Sequence, residues 1–174
     1  MPDLPPRLLN SFIAKADTST EVLQLVASYH ASFDAIHTAT ALHRTALHMQ
    51  PGHEQAISEN PSYSLLLDLA SNKAHTFKAQ ATANTLLALA KLLQAHPALL
   101  LESLQLAVTR NLTSLSPQQL ANSLWALATL DHTPDPEVLA KATHQATIIL
   151  QTPGTVWSHH VHLVPHHTAC HVTC

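Results

Sequence analysis

The chain has 174 residues, enough for one domain with a sizeable core, and 46% hydrophobic against 11% charged residues marks a folded protein. Its two glycines, Gly52 and Gly154, are too few and too far apart for a phosphate-binding loop or a dinucleotide fingerprint, which excludes the common α/β nucleotide enzymes. A formal net charge of −3, from eight Lys and Arg against eleven Asp and Glu, counts against strong autonomous binding to nucleic acid, because phosphates favour basic surfaces.

Aromatic residues are scarce and β-branched residues form no alternating run, so an all-α fold is expected. Residues 1–18, with Asp3, Asp17 and three prolines, read as an N-terminal extension that is neither a secretory signal nor a clear transit peptide. A first helix is predicted from about Thr20 to Tyr29, with Val22, Leu23, Leu25 and Val26 as its apolar stripe. Ser32 can cap a second, from Phe33 to about Leu47. "MQPGHEQAISENPS" is turn-rich and reads as a loop, with a short helix following near Tyr63 to Ala70. Thr76 is expected to cap a helix from Phe77 to about Ala95, stopped by Pro97, which suits the first turn of the next helix, ending near Asn111. Ser116, Pro117 and Gln119 make a capping box for a helix to Leu130, and Asp135 with Pro136 opens a last one to about Leu150.

No apolar run reaches the roughly 20 residues that a membrane span requires, since Lys91, His96, Pro97 and Glu102 cut the longest candidate. No membrane contact is therefore expected. The only two cysteines, Cys170 and Cys174, give no disulfide framework, which fits a reducing compartment.

One helix is written more than once. "FKAQATANTLLALAKL" from Phe77 lies without a gap over "LSPQQLANSLWALATL" from Leu115, and 115 − 77 = 38 residues. The copies share Gln80 with Gln118, Ala83 with Ala121, Asn84 with Asn122, Leu86 with Leu124, and Ala88, Leu89 and Ala90 with Ala126, Leu127 and Ala128. "FDAIHTATALHRTALH" from Phe33 joins them at an offset of 77 − 33 = 44 residues, the loop accounting for the difference. Leu101, Thr109 and Leu112 recur as Leu139, Thr147 and Leu150. Helix pairs at a fixed period predict an α-solenoid of stacked hairpins, about three repeats over residues 19–152, in which each hairpin buries its apolar face on its neighbours.

A 38-residue helical hairpin whose second helix reads "SPQQLANSLWALATL", followed by "PDPEVL", resembles the octatricopeptide repeat proteins, and "EVLQLVASYHASFDAIHTATALHRTA" looks like an opening repeat of that family. These proteins are related to FAST-kinase-like proteins that carry a RAP domain. The resemblance covers roughly residues 20 to 151 and implies an RNA-binding solenoid of the chloroplast or mitochondrion. Its implied partner is single-stranded organellar RNA, within a ribonucleoprotein complex, and its implied work is RNA processing, mRNA stability, splicing or translation. With few repeats and no RAP domain, the sequence is expected to be a segment of a longer chain.

In a modular RNA reader each repeat offers a few side chains to one base, from one face of successive helices. Gln80 and Gln118 meet that requirement, and positions that differ between the copies are further candidates: Lys78 against Ser116, Ala81 against Gln119, Thr85 against Ser123, and Lys91 against Thr129. Arg110, like Lys78 and Lys91, could meet a phosphate. Asn84 and Asn122 are expected to scaffold the repeat by bonding a neighbouring helix's backbone, and Trp125 to pack in the core rather than stack on a base.

After Gln151 the repeat should give another second helix near residue 153, but Pro153 and Gly154 stand there instead, opening a His/Cys-rich tail over residues 153–174. A metal site of His166, Cys170, His171 and Cys174 is the alternative reading, yet Cys-x-x-x-Cys beside scattered histidines is no standard zinc module and the tail has no carboxylate. No metal or cofactor is expected. The tail is read as a divergent segment of the kind an intron or a shifted frame produces. The last helix would then lack its partner, be the least protected of the later helices, and drive self-association. The fifteen histidines show no catalytic arrangement and no HExxH, so no enzyme is expected. Two functions remain: an RNA-binding repeat protein of organelle gene expression, or a helical scaffold that binds protein alone.

Overall fold

In a computed structural model of the chain, residues 4–92 and 97–151 are described, excepting the side chains of residues 146 and 149–151. The described residues form helices joined by short turns and links, with no strand among them, which is an all-α architecture. The expected tail and its His166, Cys170, His171 and Cys174 lie outside the described residues.

The expected N-terminal extension contains a helix, α1 (Pro6–Lys15), with proline in its first turn. Leu9 and Ile13, one turn apart, are fully buried and dock it on the next-but-one helix, α3. α2 (Ser19–Tyr29) is capped by Thr18, whose hydroxyl accepts from the Glu21 amide, and buries Val22, Leu23 and Val26. A 3-10 turn (His30–Ser32) then separates it from α3 (Ala35–Leu47).

Ser32 does not cap α3. Phe33 is almost fully buried in an extended conformation, which moves the helix start on to Asp34. The Asp34 carboxylate accepts from the amides of Ile36 (2.8 Å) and His37 (2.9 Å), and His37 Nδ1 reaches back to the Asp34 amide (3.1 Å).

The expected loop holds a short helix, α4 (Glu54–Ser58), entered through Gly52 at φ +85°, a conformation that suits glycine. α5 (Pro61–Lys73) starts earlier than Tyr63, because Asn60 caps it and Pro61 fills the first helical position. A second 3-10 turn (Ala74–Thr76) precedes α6 (Ala79–Leu92). Thr76 closes that turn, donating to the Lys73 carbonyl at 2.7 Å, while α6 begins with the Thr82 amide on the Lys78 carbonyl. Pro97 stands one position before α7 (Ala98–Arg110). The predicted capping box of α8 (Pro117–Thr129) is formed, Ser116 and Gln119 exchanging bonds of 3.2 and 3.0 Å. The last described helix is α9 (Pro136–Gln151).

The helices form two layers. α1, α3, α6 and α8 pack side by side in that order, and α2, α5, α7 and α9 do the same beneath them. Between the layers lies a core of Leu42, Tyr63, Leu66, Leu86, Leu89, Leu104 and Leu127, all but Tyr63 with no exposed surface at all. Each fully buried leucine is worth roughly 1.5–3 kcal/mol.

Polar bonds fix the register of the layers. The Arg110 guanidinium donates to the carbonyls of Ala74 and Phe77, both at 3.2 Å, and Asn111 donates to Phe77 at 2.9 Å. Farther on, the Asp135 carboxylate at the head of α9 accepts from Gln105 (2.6 Å) and Thr109 (3.2 Å) of α7. α9 buries Val138 against this support but leaves Leu139 45% exposed.

Candidate nucleic-acid interface

A helix turns 100° per residue, so positions spaced i, i+4, i+7 and i+11 share one stripe. On α6 the stripe is Gln80, Asn84, Leu87 and Lys91; Gln80 and Lys91 are exposed and the other two partly buried. Thirty-eight residues on, α8 repeats it as Gln118, Asn122, Trp125 and Thr129, all exposed except the partly buried Asn122. α3 contributes Ile36, Thr40, His43 and Leu47, with Ile36 60% and Leu47 50% exposed. Because α3, α6 and α8 are neighbours in one layer, these stripes form the outer face of that layer.

Charge separates between the layers. α1, α3, α6 and α8 contain no Asp or Glu and carry Arg7, Lys15, Arg44 and Lys91. The helices of the other layer carry Glu21, Asp68, Glu102 and Glu137 beside Lys73, Arg110 and Lys141. The net charge of −3 therefore conceals four helices that carry cations and no acid, although the half-exposed Asp34 caps the start of α3 and Asp131 follows α8. Whole-chain charge counted against phosphate contact; the distribution removes that objection for one face.

The electrostatics at the α3–α6 junction follow from this. His43 is partly buried, and its pKa is lowered first by that burial, then by the charges of Lys91 and Arg44. Arg44 also ties down the end of α1, its guanidinium donating to the Ala16 carbonyl at 2.6 Å.

The residues singled out from the sequence divide sharply. Gln80, Lys91 and Gln118 share the outer face with Asn84 and Asn122. Lys78 and Ser116 are exposed just before α6 and α8, and Ser116 and Gln119 are engaged in the capping box. Thr85 and Ser123 cannot read a base: both are fully buried, Ser123 donating to the Gln119 carbonyl at 2.8 Å. Arg110 belongs to the other layer, where its guanidinium bonds Ala74 and Phe77.

The scaffolding role expected of Asn84 and Asn122 falls to Asn111 instead. Among the described residues neither Asn84 nor Asn122 bonds a neighbouring helix, whereas Asn111 bridges α7 to the start of α6. Trp125, expected in the core, is 48% exposed. Its place seven residues after Gln118 put it on the polar stripe, a signal that outweighs the general preference of tryptophan for burial. His43, aligned with Leu87 and Trp125, lies in the same row and is partly buried, as a lone histidine on a helix ordinarily is.

Among the described residues no group of three or more His, Cys, Asp and Glu is placed to hold a metal ion, and no helix is long and apolar enough to cross a membrane. Comparisons with protein-family models, with curated proteins and with solved structures return no match.

Proposed function

We propose that the chain is an RNA-binding helical-repeat module, an α-solenoid of the octatricopeptide kind, that receives single-stranded RNA on the outer face of α3, α6 and α8. The observation that carries this reading is the row on α6 and α8, helices without Asp or Glu, in which a Gln–Asn pair recurs at a 38-residue interval beside an exposed Trp125. Each amide offers a donor and an acceptor to a base edge, and the indole offers a stacking platform worth roughly 1–3 kcal/mol per base. Lys91, with Lys78 at the rim, meets the backbone. In this reading Asn84 and Asn122 contact bases, and Gln80 and Gln118 flank them one turn away. The place of work, chloroplast or mitochondrion, and the task in RNA processing or mRNA stability follow from the family resemblance.

So few repeats can specify only a very short run of bases, so the isolated chain binds weakly and with little selectivity. Filter binding to single-stranded RNA at low and moderate salt tests the reading. Micromolar affinity that falls with a log–log salt slope of about −2 is expected, from about three phosphate contacts at −0.7 each. Absence of binding at low salt rejects it. A protein-binding scaffold is the second reading, favoured by the exposed Leu99 and Leu106, which lie on one side of α7 in the other layer. A partner protein that binds there without competing with RNA would add to the first reading; one that binds where RNA does not would replace it.

A further inference from the structure

We propose that copies of this chain join head to tail, α1 of one copy lying beside α8 of the next and α2 beside α9. The occupant of the open side of α8 is thus a second copy of the chain, in the place that a further helix of the layer would take.

The repeat shows which side of α8 this is. Ala39, Leu42 and Ala46 of α3 recur on α6 as Ala83, Leu86 and Ala90, and all six are at most 8% exposed. On α8 the same positions are Ala121, Leu124 and Ala128; both alanines are exposed and the leucine is half-buried. α3 and α6 each have a following helix in their layer, whereas among the described residues none follows α8. The set therefore marks the side turned to the next helix. The other layer ends in the same way. Leu101, Gln105 and Thr109 of α7 are half-buried, the last two bonded to Asp135 at the head of α9. Their repeats on α9, Leu139, Thr143 and Thr147, are exposed.

The first helices carry the matching side. On α3, His37 and Ala41 lie three and seven positions past Asp34, the residue before the helix, and both are buried. His37 Nε2 is 2.8 Å from the Pro6 carbonyl of α1, so this side faces the preceding helix. The seventh position is likewise buried on α6 and α8, as Thr85 and Ser123. On α1, counted from Pro5, the two positions are Leu8 and Phe12, 43% and 45% exposed. Phe12, Ala16 and Leu25 of α2 line an open groove of about 380 Å³ at this end.

The two ends are complementary. Within the chain, this register sets Ala41, Thr85 or Ser123 against the preceding helix; between copies it sets Leu8 and Phe12 against Ala121, Leu124 and Ala128. Joining removes apolar surface from water at both ends, and the small alanines leave hollows for the larger side chains. Charge agrees with the fit: α1 brings Arg7 and Lys15 and no acid, and the exposed Asp131 and Glu137 flank the far end. In the other layer Glu21 of α2 and Lys141 of α9 are also of opposite sign. A contact between two different surfaces leaves one of each free after every addition, so copies add until a ring closes or a filament grows.

Sedimentation velocity and light scattering of the whole chain, across a wide range of concentration, test this with two variants. Phe12→Glu spoils the α1 end and Ala128→Arg the α8 end; both residues are exposed, so thermal melting should match that of the parent. The parent should pass beyond the mass of a dimer as concentration rises, and each variant alone should stay monomeric. Mixed in equal amounts, the variants should form a one-to-one pair and nothing larger, because each retains the end that the other has lost. A parent that is monomeric at every concentration overturns the proposal. So does a dimer that Phe12→Glu leaves intact, which would be a symmetric contact through α9, or a mixture that stays monomeric where the parent associates.

Discussion

His37 Nε2 lies 2.8 Å from the carbonyl oxygen of Pro6, thirty-one residues earlier in the chain. His37 is 2% exposed, and its other nitrogen faces Asp34, within 3.1 Å of the amide and 2.8 Å of the carboxylate. Nδ1 accepts from the Asp34 amide, which leaves Nε2–H to donate to the Pro6 carbonyl. One side chain therefore starts α3 and holds the entrance of α1 to it. His37→Ala should cost about 1–3 kcal/mol and loosen α1 before the rest of the fold. Urea unfolding with hydrogen exchange at Leu9 to Lys15 checks this; unchanged protection there would show that Leu9 and Ile13 suffice.

Ser116 closes the capping box of α8 from an exposed position, so its removal reports the cap alone. Ser116→Ala should lower stability by about 1 kcal/mol, and Ser116→Asp should leave it nearly unchanged. Thermal and urea midpoints measure both.

How legible these features were depended on the range of the forces behind them. The α8 cap was readable because Ser116, Pro117 and Gln119 interact within one turn. The α3 cap was not: Ser32 and Asp34 are both competent, and the burial of Phe33 against the core decides between them. α1 was missed because a ten-residue helix behind Pro5 and Pro6 has little stability alone and exists by docking Leu9 and Ile13 on α3. At the candidate site the repeat located the stripe of Gln118, Asn122 and Trp125, but the general preference of tryptophan for burial masked the exposed position of Trp125. That the helices of one layer carry no Asp or Glu was present in the sequence, yet a single net charge cannot show it before the helices are assigned to layers.

The lowered pKa of His43 fixes the sign of a pH effect. Its native pKa lies below the ordinary value of 6.5, so the unfolded chain binds the proton more readily. The stability tied to its neutral form is complete above about pH 6.5 and is lost as pH falls toward the native pKa. His43→Gln should flatten this part of the profile, and Lys91→Gln should reduce it by removing one opposing charge. Urea midpoints across that interval decide; a steeper acid loss in His43→Gln would contradict the assignment.

α9 rests on Val138 and on the Asp135 bonds to Gln105 and Thr109, with Leu139 partly in solvent. We expect it to exchange amide hydrogens faster than α6 and α8 and to mediate self-association. Asp135→Ala, which strands the Gln105 amide and leaves the Thr109 hydroxyl only the Gln105 carbonyl, should speed that exchange further, by about 1–2 kcal/mol in opening free energy. Light scattering from a strictly monomeric sample, with α9 as protected as α6, would contradict this view.

If the chain binds RNA as proposed, the strand lies on the outer face of α3, α6 and α8. Ultraviolet crosslinking to a single-stranded oligonucleotide, with the crosslinked peptides located by mass spectrometry, tests it most directly. Crosslinks are expected on the peptides that carry Trp125, Asn122 and Lys91, lost or displaced in Trp125→Ala. Crosslinks confined to α2, α5 and α7, or none at low salt, would contradict it.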